Sequence, residues 1–212
     1  MSSCTPKAAL FDFGGVIADE GFRNGLYEIA RTNGLDEEGF AAKTRDIIHR
    51  TGYITGTGSE AFFWETLRGE TGIRGSDDEL RNTILKGFNL RGWMLEVIGL
   101  LKSQGVRLAI LSDQTNWLDE LQDRLGFFEH FERVFNSYHI GKTKLEKSLF
   151  LDVLDVMQLP PRDVLFVDDT EGHVRRAAEV GLVTIHYRGR EDFLKRLSKL
   201  CPGLSRDLGR LY

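Results

Sequence analysis

With 212 residues, 41% of them hydrophobic, the chain can bury its own core as one large domain or as a domain carrying an insertion, without needing cross-links. Its net charge is −4 and its basic residues are interspersed with acidic ones, which leaves no electrostatic footprint for a nucleic-acid backbone. No apolar run approaches the roughly 20 residues of a membrane helix and no signal-type segment opens the sequence; Cys4 and Cys201, at opposite ends, read as free thiols, so a cytoplasmic, reducing setting is expected.

Residues 8–12 read as a first buried strand, an apolar run that stops at Asp12 and opens into Gly14-Gly15. From Gly21 to Gly87 the apolar residues follow a helical period, through Leu26, Ile29, Phe40, Ile47, Phe63, Leu67, Leu80 and Ile84. Glycine breaks divide this stretch into about four helices, with Ser59 and Ser76 as candidate N-caps. Phe62, Phe63, Trp64 and Tyr53 are expected to form the core of this helical part.

After Gly92 helix and strand alternate. A helix over 94–102 leads to a strand at 106–111, and a helix over 116–125 to a strand at 134–135. A helix over 145–157 then leads to a strand at 164–167, and a helix over 173–180 to a strand at 183–186. Such alternation implies right-handed crossovers and a mainly parallel sheet covered on both faces. The fold expected is therefore α/β, a Rossmann-like three-layer core (residues 1–18 and 88–212) with an all-helical insertion (19–87). Phe193, Leu194, Leu197 and Leu200 predict a docking helix, and the chain past Pro202 is expected to fray.

Four apolar runs or loops end in polar groups: ALFDFGGVI at Asp12, AILSDQ at Ser112, GKTK at Lys144, and VLFVDDTEGH at Asp168-Asp169. Separated by 100, 32 and 24 residues, Asp12, Ser112, Lys144 and Asp168 and their surroundings resemble the four motifs of the haloacid dehalogenase superfamily, in subclass terms its phosphatase-like members with a helical cap inserted after motif one. The resemblance spans nearly the whole chain. It implies that Asp12 is a nucleophile forming an aspartyl-phosphate, and that Mg²⁺ is held by Asp12, the main-chain carbonyl of Gly14 and Asp169, with Asp168 an alternate ligand or a supporting acid. Ser112 and Lys144 would bind the phosphoryl group, with Asp113 beside it.

The departures from the family pattern bear on chemistry. The aspartate usual two residues after the nucleophile, which protonates the leaving group and then activates water, is here Gly14; a positioned acid and base is worth roughly 10²- to 10⁴-fold in rate. Leu145 and Lys147 stand where prolines often follow the motif-three lysine, which predicts a looser loop around Lys144. His173 reads as a surface or helix-capping residue rather than as a substitute proton carrier. Arg45, His49 and Arg50 are candidate contacts to a polar leaving group, and Trp117 is placed to face the helical insertion.

The function expected is Mg²⁺-dependent hydrolysis of a small phosphomonoester such as a sugar phosphate, by a monomer or homodimer that binds neither nucleic acid nor membrane. Two alternatives stay open: a metal-independent 2-haloacid dehalogenase, and a phosphate-binding relative of low turnover.

Overall fold

A computed structural model describes residues 4–211. Strand β1 (Ala8–Phe11) is followed by α1 (Gly21–Thr32), α2 (Glu37–Arg50), α3 (Glu60–Thr71) and α4 (Asp77–Leu85), with no strand between them, and then by α5 (Gly92–Ser103). The chain continues through β2 (Arg107–Ser112), α6 (Trp117–Leu125), β3 (Arg133–Asn136), a one-turn α7 (Ser137–Ile140) and α8 (Lys147–Met157). It ends with β4 (Val164–Asp168), α9 (Glu171–Val180), β5 (Val183–His186), α10 (Arg190–Leu200) and the short α11 (Ser205–Leu208). The five strands form one sheet in the order β3-β2-β1-β4-β5, and every neighbouring pair is parallel.

Alternation along the strands explains the layers. Ala9 and Phe11 of β1, with Leu108, Ile110, Leu165 and Val167 of its neighbours, face a core that takes in α5, α6, α10 and the helical segment. Ala8, Leu10, Ala109, Leu111 and Phe166 face the opposite core, filled by Leu149, Phe150 and Val153 of α8 and Ala177 of α9. Strand order reverses at β1, and at such a switch point the crevice at the carboxyl ends of the strands is the natural place for a ligand.

The helix starts between β1 and α5 follow local chemistry. Ser59 Oγ accepts the Phe62 N–H at 3.2 Å, and Ser76 and Glu79 form a reciprocal capping box. Tyr53, Phe63 and Trp64 are fully buried as expected. Their core is shared, because Trp117 of α6 stacks on Trp64 at 5.8 Å and meets Tyr53 edge-on at 5.8 Å, while Tyr53 Oη donates to Asn116 Oδ1 at 2.6 Å. Phe62 departs from the reading: it is 53% exposed, because it lies on the outer face of α3.

Two further expectations are corrected. Cys4 and Cys201 are not free thiols but are joined to each other. The segment leading into β1 and the end of α10 meet at the amino edge of the sheet, where Thr5 N donates to Leu200 O at 2.8 Å, so 197 residues of sequence separation disappear in the fold. Cysteine usage therefore gives no support for a reducing compartment. Nor do the described residues past Pro202 fray, since Leu204 and Leu208 are buried in the main core. Among the described residues no helix is long and apolar enough to cross a membrane.

Candidate active site

The carboxyl edge of the sheet gathers the four motifs. β1 delivers Asp12, held by its own N–H donating to Val167 O at 2.9 Å; β2 ends at Ser112; β4 ends at Asp168, with Asp169 next. Lys144 arrives from the loop after α7. Its ammonium lies 3.0 Å from Asp12 Oδ1 and 2.7 Å from Asp168 Oδ2, with the side chain only 1% exposed. Asp12 Oδ1 also accepts the Phe13 N–H at 2.7 Å and the Ser112 hydroxyl at 3.0 Å. With three donors on Oδ1, Oδ2 is the oxygen left without a donor among the described residues.

Burial alone would lower Lys144, but Asp12, Asp168 and Asp113 around it hold it above the usual lysine range, so it stays an ammonium. Burial likewise opposes the charge on Asp168, yet Lys144 and His173 overcome it and keep this carboxyl below the ordinary carboxylate range. Asp12 moves the other way. Burial, with the nearby charges of Asp168 and Asp169, pushes it up against the pull of Lys144. Asp169 is raised too, by burial and by Asp168.

Asp168 has both oxygens engaged: Oδ2 by Lys144, Oδ1 by the Thr170 N–H at 2.7 Å, and His173 Nδ1 stands 3.3 Å from each. This makes it a holder of Lys144, and it places His173 in a part-buried pair with Asp168 rather than at the surface. Asp113 lines the pocket, but its carboxylate accepts the Lys144 N–H at 2.9 and 3.1 Å. That bond, with Thr143 N donating to Glu146 Oε1 at 3.3 Å, ties down the loop that the missing prolines predicted to be loose.

Oxygen atoms of Asp12, Asp168 and Asp169 lie within 4.8 Å of one another. An all-oxygen cluster contributing one or two carboxylates suits Mg²⁺, which keeps waters and takes a substrate oxygen, better than it suits softer metals. Asp168 already accepts from Lys144 and Thr170, which leaves Asp12 and Asp169 as the less engaged carboxylates of the cluster, with Gly14 lining the same pocket. Gly15 makes the approach of Asp169 possible: its φ is +78°, and a Cβ there would sit 2.2 Å from Asp169 Oδ2.

Above these groups lies a pocket of about 320 Å³, lined also by Gly14, Gln114, Thr115, Thr170 and, from the helical segment, Glu20, Phe22, Arg45, Ile48, His49 and Ile54. Arg45 and His49 are thus placed as the sequence suggested. Arg50 is not: it pairs with Glu70 at 2.6 Å and Asp46 at 3.4 Å, away from the pocket. Sequence reasoning missed Glu20, whose carboxyl burial pushes above its ordinary range. The available signal was a glutamate at a helix start, where shorter caps are the rule.

A haloacid dehalogenase-like hydrolase family model matches residues 6–181. The chain belongs to this family. As a hydrolase of that family it is an enzyme. It is 26% identical to pig (Sus scrofa) bifunctional epoxide hydrolase 2 over 92% of this chain and 38% of the relative, and it spans only 20 to 38% of the length of the first such relatives. A family enzyme from Bacteroides thetaiotaomicron, in complex with magnesium and inorganic phosphate, shares the fold at a TM-score of 0.68 with 22% identity, covering 85% of this chain and 93% of that one. L-2-haloacid dehalogenase from Xanthobacter autotrophicus shares it at 0.65 with 18% identity, covering 90% and 81%.

Proposed function

We propose that this hydrolase cleaves small phosphomonoesters with Mg²⁺ by way of an aspartyl-phosphate on Asp12. The observation that carries the reading is the pairing, on one strand edge, of an oxygen-only carboxylate cluster with a buried lysine ammonium 3.0 Å from the candidate nucleophile. A cation site beside a fixed positive charge suits a phosphoryl dianion approached by a carboxylate, where like charges must be neutralised before a bond forms.

In this reading Asp12 attacks phosphorus, the bond to the leaving oxygen breaks, and water later cleaves the acyl phosphate to restore Asp12. Lys144 and the Ser112 hydroxyl hold Asp12 in line and receive charge on the phosphoryl oxygens, and Asp168 holds Lys144 in place. Mg²⁺, held by Asp12, Asp169 and the Gly14 carbonyl, would neutralise the dianion as a Lewis acid. Residues 19–87 would act as a cap over the core formed by 1–18 and 88–212, with Arg45 and His49 meeting a polar leaving group.

Gly14 favours a second reading, metal-free 2-haloacid dehalogenation, because displacement of halide needs no acid at that position. The carboxylate cluster weighs against it. The test is hydrolysis of p-nitrophenyl phosphate with Mg²⁺: turnover is expected to stop with chelator and with Asp12→Asn. Halide release from a 2-haloacid in chelator would reverse the assignment.

A further inference from the structure

Gly14 removes the family's acid two residues after the nucleophile, yet the space beside it holds a carboxyl group. A Cβ built on Gly14 would lie 3.6 Å from Glu20 Oε2. An aspartate there would carry its oxygens about 2.4 Å from that Cβ, so the Glu20 oxygen stands only about 1 Å farther out. We infer that Glu20, entering from the first turn of the helical segment, is the general acid and base of this hydrolase.

The position of Glu20 is built, not incidental. Its Oε1 accepts the Arg23 N–H at 3.1 Å as the N-cap of α1, which fixes the carboxyl plane and leaves Oε2 without a donor among the described residues. Aspartate, serine or asparagine would cap at least as well, so the extra methylene of glutamate is spent on reach. The backbone beneath it is pinned: Asp19 N donates to Asn89 O at 2.9 Å, Arg91 N donates to Ile17 O at 2.9 Å, and the Arg91 guanidinium bonds Gly15 O at 2.5 Å and Asp19 Oδ1 at 3.2 Å. Gly21 then packs so closely on Phe88 that a Cβ would meet its ring at 2.4 Å.

The other acids of the pocket are engaged or otherwise assigned. Asp113 holds the Lys144 N–H, and Asp12 and Asp169 belong to the nucleophile and the cation site. His173 is held by Asp168. Among the described residues Glu20 is the pocket carboxyl with a free oxygen that neither the nucleophile nor the cation site claims.

The proton balance closes around it. As Asp12 bonds to phosphorus, the pair of the breaking P–O bond goes to the leaving oxygen, which takes the proton of the Glu20 carboxyl; alcohol, aspartyl-phosphate and Glu20 carboxylate result. A water then attacks phosphorus and gives its proton to Glu20, while the bonding pair of the acyl phosphate returns to Asp12. Phosphate leaves and Glu20 is again protonated.

The inference rests on the phosphatase reading, and leaving-group dependence separates the two. Wild type, Glu20→Gln, which keeps the Oε1 cap, and Glu20→Asp, which keeps a cap but shortens the reach, are compared with Mg²⁺ on p-nitrophenyl phosphate and on glycerol phosphate. Both variants are expected to lose about 10²- to 10³-fold in kcat/KM, which reports the phosphorylation step, on the alkyl ester, whose leaving oxygen needs a proton, and less than about tenfold on the aryl ester; the shared dephosphorylation step, deprived of its base, lowers kcat on both. Gly14→Asp in the Glu20→Gln background is expected to recover the alkyl ester activity. An equal loss of kcat/KM on both esters, no loss on either, or a wild type that hydrolyses only the aryl ester overturns the role of Glu20 while leaving a phosphatase. A wild type inactive on every phosphate ester overturns both.

Discussion

At the floor of the pocket Lys144 is held by Asp12, Asp168 and, through its backbone, Asp113, and almost every polar atom there has a named partner. At the rim Arg45 and His49 line the same pocket yet join none of the ion pairs among the described residues, while their helix neighbour Arg50 is paired twice. The difference divides labour. A buried charge must be paired or it unfolds the protein, so the floor is fixed by stability as much as by chemistry. The rim is wet enough to leave groups unpaired, and these are free to meet a ligand.

If that division is right, breaking the floor costs both stability and activity. Asp168→Asn removes one of the two carboxylates on a buried lysine and is expected to destabilise by about 3–5 kcal/mol, with a turnover loss of at least about 10²-fold, read by urea denaturation and steady-state rates. The same residue sets a pH signature. Its folded pKa lies below its unfolded value of about 3.9, so its stabilisation is present above about pH 4 and is lost as pH falls through the folded value. Urea midpoints of the wild type are expected to fall below pH 4, and the Asp168→Asn variant to lack that increment; identical acid profiles would remove Asp168 from the account.

Asp113→Ala probes the layer between floor and rim. It frees the Lys144 N–H, with an expected loss of about 1–3 kcal/mol and a fall in kcat larger than any change in KM, because the ammonium is no longer fixed. Asp113→Asn, which keeps an acceptor oxygen, is expected to recover most of both.

The smallest effect on stability is expected at the rim. Arg45→Ala and His49→Ala should each shift the urea-derived stability by no more than about 0.5 kcal/mol while raising KM for esters with polar leaving groups. A destabilisation of 2 kcal/mol or more in either variant would show the rim to be structural and erase the distinction.

Much of the floor was legible because its residues sit at strand ends. An apolar run that stops at Asp12, Ser112 or Asp168 marks both the strand and the edge, and parallel pairing then aligns those edges. The serine caps at 59 and 76 were legible for the same local reason. What escaped depended on distant neighbours. His173 is the exception in separation: Asp168 is only five residues away, yet it takes the turn between β4 and α9 to bring the two together. The Lys144 loop looked loose because its restraint comes from Asp113, 31 residues away. Arg50 and His49 share a helix, and only the packing of α2 against α3 sends one to Glu70 and leaves the other at the pocket.

Local pattern by itself determined the alternation of strand and helix, the helical stretch between β1 and α5, and the residue types that end each strand, since these follow from hydrophobic period and from short-range capping. Tertiary structure alone decided that Cys4 meets Cys201, that the tail beyond Pro202 packs into the core, and that Glu20 stands in the space beside Gly14. Those three outcomes depend on where chain segments cross, and a crossing is fixed by the summed burial of many side chains rather than by the residues that happen to meet there.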